Sequence, residues 1–187
     1  MHACLQVFET EGWSALSARR ICEVAGLTRR YFYESFDDLD ALLAAVYASI
    51  AGDAMAATKA AANDPTLSFG QRIERAAADS LATLDPPVRG RFLIAVQQAG
   101  GPVGLDRNAV YDDMASLVRS ALATSQDGPS SVELADASIA ARMVVGAVLA
   151  LVDGWLNGEV KLSREEVCSR AAAAAIAIIQ GLSGGPS

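Results

Sequence analysis

Histidine is almost missing from this chain. The single one, His2, stands at the terminus, and the three cysteines, Cys4, Cys22 and Cys168, show neither metal-ligand spacing nor a paired framework. A transition-metal centre is therefore excluded, and no metal and no cofactor is expected. Nor is there a glycine-rich phosphate loop, or a nucleophile with a plausible base, so no catalytic residues are expected and the chain does not read as an enzyme. No long run alternates apolar and polar residues with period two, which argues against a sheet. The N-terminus has no basic start followed by an apolar core, so no signal peptide is expected, and a cytoplasmic location follows with reduced thiols.

What remains is helix-forming sequence. Of 187 residues, 52% are hydrophobic and alanine is abundant, a composition that favours helices. The length suits one large domain, or a small domain and a larger one. The net charge is -7, which opposes simple electrostatic attraction to nucleic acid. Its distribution softens that objection. Residues 1–36 are neutral, with four arginines (19, 20, 29 and 30) against four acidic residues, and the whole excess lies in 37–187. DNA binding would then depend on a local arginine cluster presented twice by a dimer.

The stretch 17–36, SARRICEVAGLTRRYFYESF, organises the rest. Ala18, Ile21, Cys22 and Ala25 fall at i, i+3, i+4, i+7 on one helix face. Gly26 follows, where a helix end needs a left-handed backbone. Leu27 can plug the corner, and Ser17 and Thr28 are suited to cap the two helices. Phe32 and Phe36 lie on one side of the second helix, while Arg29, Arg30 and Tyr31 open it, with Tyr33 nearby. A short helix with one apolar face and a cationic, aromatic first turn fits the major groove of DNA.

Residues 5–46 resemble the DNA-binding domain of the TetR (tetracycline-repressor-like) family of bacterial regulators. The resemblance runs through Phe8, Gly12, Leu16, Ser17, Gly26, Leu27, Thr28, the Phe32-Tyr33-x-x-Phe36 signature and Ala41, Leu42 and Leu43. It implies an all-α fold: a three-helix helix-turn-helix domain over 1–38 and a helical ligand-binding and dimerisation domain over 39–187. It further implies DNA contacts from Ser17, Arg19, Arg20, Thr28, Arg29, Arg30, Tyr31 and Tyr33. Arg19 could grip guanine through two hydrogen bonds, or pair with Glu23 four residues on. The Ser17 hydroxyl and amide could meet a phosphate. Two departures predict weaker binding. The family's further, often basic, N-terminal residues are not present, and Leu39 stands within Asp37-Asp38-Leu39-Asp40 where the family usually has a lysine.

Helices are expected over 1–11, with Met1, Leu5 and Phe8 inward; 39–62, a lever from one domain into the next; 67–84; 88–99; 105–124; 132–157; and 163–182. The linkers are expected at Gly100, Gly101 and Pro102 and at 125–131, with a disordered tail at 183–187. Ser163 with Glu166 forms a capping box. Residues 143–152 are uncharged and apolar all round but too short to span a bilayer, so no membrane is expected. A partner subunit is the natural cover, with Gly146, Ala147, Ala150 and Gly154 as a small-residue strip. The resemblance implies a homodimer through the last two helices, about 132–182. It also implies a small-molecule pocket, for which Phe92, Gln97, Tyr111, Met114 and Trp155 are the candidate lining. The resulting expectation is a ligand-responsive repressor of palindromic operator DNA, with a small apolar or weakly polar effector. The alternative is a helical small-molecule-binding dimer with weakened or lost operator binding.

Overall fold

A computed structural model describes residues 1–99, 112–117, 120 and 134–183. Among them every regular element is helical. The order is α1 (His2–Glu11), a 3-10 turn (Trp13–Ala15), α2 (Ala18–Ala25), α3 (Arg29–Ser35), α4 (Leu39–Ala62), α5 (Phe69–Thr83), α6 (Val88–Gln98), α7 (Leu134–Leu156) and α8 (Arg164–Ser183). Residues 112–117 and 120 are also helical. The expected loop at Gly100, Gly101 and Pro102, the linker 125–131, Tyr111, most of the 105–124 helix and the tail 184–187 lie outside the described residues.

Contacts divide the chain into two compact units, Met1–Gly52 with Leu84–Leu105, and Asp53–Thr83 with Asp106–Ser187. This division falls inside α4, between Gly52 and Asp53. The physical reason is burial: Leu42, Leu43, Val46, Tyr47 and Ile50 of α4 share one core with α1, α2 and α3. Phe92, Leu93 and Val96 of α6 join the same core. Phe92 is wholly buried and meets Phe8 edge-on, with ring centroids 5.4 Å apart. Such aromatic pairs add to the area they bury.

The inward face of α1 differs from the expected one. Met1 is exposed, and Cys4 and Val7 are the fully buried residues, with Leu5 and Phe8 partly buried beside them. In α2 the expected face is right at Ile21 and Cys22, but Ala25 is exposed and Val24 packs instead. One residue of error in a short amphipathic face moves its stripe by about 100°.

In the second unit, Ala62, Phe69, Ala140 and Ile179 form a core drawn from α4, α5, α7 and α8. Arg72 is buried within α5 and donates Nε to the Leu67 carbonyl at 3.0 Å. The α7–α8 connection is held by the Trp155 indole N–H, which donates to the Leu162 carbonyl at 2.9 Å. The capping box starts α8: the Glu166 amide donates to Ser163 Oγ (3.2 Å) and the Ser163 amide to Glu166 Oε2 (2.8 Å). By length and composition alone, Leu39–Ala62 and Ala137–Leu156 could cross a membrane. The first carries Asp40, Asp53 and Lys59 and the second Arg142 and Asp153, which a fully buried span would have to neutralise.

Candidate nucleic-acid interface

Local chemistry builds the helix pair. Ser17 has an extended backbone and its hydroxyl accepts from the Arg20 amide at 3.2 Å, capping α2. At the other end Gly26 is left-handed, with φ 67° and ψ 27°. The Leu27 amide reaches the Cys22 carbonyl (2.9 Å) and the Gly26 amide the Glu23 carbonyl (3.3 Å). That is a Schellman turn, which satisfies the last carbonyls of α2 and redirects the chain into α3. The Cys22 thiol donates to the Thr28 carbonyl at 3.9 Å, a weak bond across the same corner. Two expectations fail here. Leu27 is exposed and does not plug the corner. Thr28 occupies the N-cap position of α3 but its hydroxyl makes no capping bond.

α3 is one turn of display on one turn of anchor. Phe32 is buried and Phe36 half-buried, their rings 5.8 Å apart. Tyr31 and Tyr33 are 59% and 58% exposed, and the Phe32 and Tyr33 rings meet edge-on at 5.3 Å. Arg29 makes no ion pair among the described residues. The Arg30 side chain is 85% exposed and rests on Glu34 at 2.8 Å. Exposed pairs of this kind are worth only about 0.3–0.5 kcal/mol, so the guanidinium can be exchanged to a phosphate at small cost.

The α2 arginines divide. Arg19, 71% exposed, has one 3.1 Å contact with Glu23, the pairing that the spacing alone suggests. Arg20, 42% exposed, is gripped by Glu11 at 2.8 Å and also touches Glu23 at 3.2 Å. The Arg20 hydrogen bond holds the Glu11 carboxyl below the usual carboxylate range. Beyond α3, Asp37, Asp38 and Asp40 are exposed. Asp38 is committed to the helix, since Oδ1 accepts the Ala41 amide at 2.8 Å. An acid at a helix start is favourable for the helix and unfavourable beside phosphate.

The candidate pocket residues that are described belong to two different units. Phe92 is core of the first unit. Gln97 donates to the Tyr47 hydroxyl at 3.4 Å in that unit. Met114 and Trp155 fall in the second unit. Met114 packs on Ala115, Ala137 and Ala141, and Tyr111 lies outside the described residues. Sequence reasoning missed Glu11, whose role depends on how two helices cross. Among the described residues no group of three or more His, Cys, Asp or Glu is placed to hold a metal ion.

Comparison with known proteins agrees with this geometry. Residues 1–46 match the family described as bacterial regulatory proteins, tetR family. No curated protein sequence matches the chain. Among solved structures, a TetR-like transcriptional regulator from Rhodococcus sp. RHA1 aligns with a TM-score of 0.69 at 23% identity, covering 96% of this chain and 93% of that one. A putative transcriptional regulator from Pseudomonas aeruginosa PAO1 also gives 0.69, at 21% identity over 98% and 88% of the two chains. A TetR family regulator from Marinobacter aquaeolei VT8 gives 0.67, at 17% identity over 92% and 91%. Residues 1–46 thus belong to the tetR family of bacterial regulatory proteins, with α2 and α3 as the helix-turn-helix, and the chain as a whole has the fold of TetR-like transcriptional regulators.

Proposed function

We propose that this protein is a cytoplasmic, ligand-responsive transcriptional repressor that binds palindromic operator DNA as a homodimer. The observation that carries the reading is the first turn of α3, where Arg29, Arg30 and Tyr31 are exposed on a helix anchored by buried Phe32. Helix-turn-helix proteins meet base edges with this part of the recognition helix. In the proposed complex Arg29 and Arg30 reach base edges and phosphates, as does Arg19 from α2. Tyr31 meets a base edge, Tyr33 donates its hydroxyl to a phosphate, and Ser17 and Thr28 contact the backbone at the helix starts.

A homodimer answers two needs. It presents two recognition helices about 34 Å apart, one turn of DNA, and it covers the exposed apolar side of α7. Regulation follows as a population shift: an apolar or weakly polar effector that favours the arrangement mismatched to adjacent grooves releases the DNA. An effector that binds both arrangements equally would do nothing. The exposed acids at Asp37, Asp38 and Asp40 favour the second reading, a small-molecule-binding dimer whose operator binding is weakened or lost.

The test is a fluorescence-anisotropy titration of labelled duplex from the region upstream of the gene, against scrambled duplex, at two salt concentrations. Tight, selective binding that falls steeply with salt supports the repressor. Equal binding to both duplexes sinks it in favour of the second reading.

A further inference from the structure

Arg20 differs in kind from the other three arginines of the helix-turn-helix. Its Nε donates to both oxygens of Glu11, at 2.9 and 3.0 Å, and its Nη2 donates to Oε1 at 2.8 Å. Nη1 is taken by Glu23 at 3.2 Å. Arg19 and Arg30 each have a single acidic partner four residues along their own helix, and Arg29 has none among the described residues. A pair within one helix positions nothing relative to another helix. The Glu11–Arg20 pair does, because Glu11 is the last residue of α1 and Arg20 the third of α2.

The guanidinium is planar and its donors point in fixed directions, so a two-pronged grip on a carboxylate sets orientation as well as distance. Beneath it, Cys4 and Val7 of α1 and Ile21 and Cys22 of α2 share one apolar core. Apolar contact of that kind is non-directional. We propose that the Glu11–Arg20 fork is a strut that fixes α2 on α1, and that Arg20 is a positioning residue which makes no DNA contact. The Schellman turn at Gly26 and Leu27 joins α3 to α2 through two backbone hydrogen bonds, so the orientation of α2 passes to the recognition helix. Freeing Arg20 for a phosphate would break three hydrogen bonds to Glu11 and one to Glu23, whereas Arg19 and Arg30 give up one contact each.

The proposal rests on the operator-binding reading, and the test keeps the two apart. Glu11→Gln, Arg20→Gln and the double variant are titrated with selective duplex across a salt series, with Arg29→Ala as reference. Circular dichroism checks folding, and amide hydrogen exchange over residues 18–35 is followed without DNA. The strut predicts that each single variant binds about tenfold more weakly and that the double is no worse than the weaker single, as for members of one network. It also predicts an unchanged salt slope and faster exchange over 18–35 in both singles. A slope reduced by about one for Arg20→Gln, with binding kept or strengthened by Glu11→Gln, makes Arg20 a phosphate contact and overturns the strut. Unchanged affinity in both singles reduces the pair to a surface ion pair and also overturns it. Should the wild type bind no duplex selectively, the operator reading falls and exchange alone decides: faster exchange in both singles upholds the strut, and unchanged exchange ends it.

Discussion

Val160 fills the space that a side chain on Gly154 would need. A Cβ built on Gly154 lies 2.9 Å from Val160 Cγ2, and the Val160 amide donates to the Gly154 carbonyl at 2.9 Å. The smallness of Gly154 therefore serves the turn after α7. A Cβ on Gly146 meets nothing within 4 Å. The same substitution in the same helix should then diverge. Gly146→Ala gains helix propensity, about 1 kcal/mol. Gly154→Ala gains the same and pays for displacing a branched side chain, about 1–3 kcal/mol. Urea unfolding of the two variants should rank Gly154→Ala below Gly146→Ala by about 1–3 kcal/mol; equal stabilities would show that Val160 moves aside freely.

Acid should act through a few identified carboxyls. The Arg20 hydrogen bond lowers Glu11, the Thr66 hydroxyl and then its amide lower Asp64, and the Ser163 amide and then its hydroxyl lower Glu166. Each is depressed in the folded chain. Each therefore contributes stability that is fully present above the ordinary carboxylate range and is lost as pH falls through the folded value. Unfolding midpoints should be flat near neutrality and drop below about pH 4. Glu166→Gln should lower the neutral midpoint and shrink the gap between pH 7 and pH 3; an unchanged gap would remove Glu166 from the acid limb.

The thiols should report the core of the first unit. Burial pushes the Cys4 thiol up to about 11, and Cys22 is buried at the corner between α2 and α3. Cys168 is half-exposed, and desolvation raises it too. Alkylation at neutral pH should label the native protein slowly and at Cys168 alone, and label all three cysteines in guanidinium. Rapid native labelling of Cys4 would mean that α1 opens from the core.

Recognition of operator should turn on Arg29, the arginine of α3 with no ion pair among the described residues. Arg29→Ala should cost about 1–3 kcal/mol of operator affinity and relax preference at one base position. Arg30→Ala should cost less selectivity and reduce the salt slope by about one, as for a phosphate contact. Anisotropy with a set of single-base operator variants measures both. An unchanged affinity and base preference for Arg29→Ala would move the recognition surface away from the first turn of α3.

Which features were legible in the sequence follows from their range along the chain. The Gly26 turn and the Ser163–Glu166 box depend on neighbours within a few residues, and both stand where the spacing puts them. Helix α4 has the bounds that its apolar repeat and Asn63-Asp64-Pro65 predict. What spacing does not show is which distant residues meet. Periodicity shows that Phe92 lies on an apolar face, but not that α6 returns to Phe8 and Trp13 of the first unit. Nor does it show that Arg20 pairs with Glu11, nine residues back across a turn. The Thr28 cap failed for a local reason: a suitable residue in the N-cap position still needs its hydroxyl aimed at the helix.

Assembly gives the last prediction. Along α7, Ile139, Met143, Gly146, Ala147 and Ala150 are all exposed. They recur at intervals of three and four, so they form one stripe on the helix. Its neighbours on the inward side, Ala140, Ala141 and Val152, are buried. The helix thus has an apolar stripe that is exposed among the described residues. A charge there should leave the single chain folded, because these positions are exposed among the described residues, and should still oppose a second copy, because an unpaired charge would be buried. Ala147→Glu is the suitable change: it keeps helix propensity nearly intact, whereas Gly154→Glu would also break the turn at Val160. Sedimentation should find a folded monomer for Ala147→Glu and a dimer for the wild type. A folded dimer in both would place the interface away from α7, and the two recognition helices would then have to be brought together by another surface.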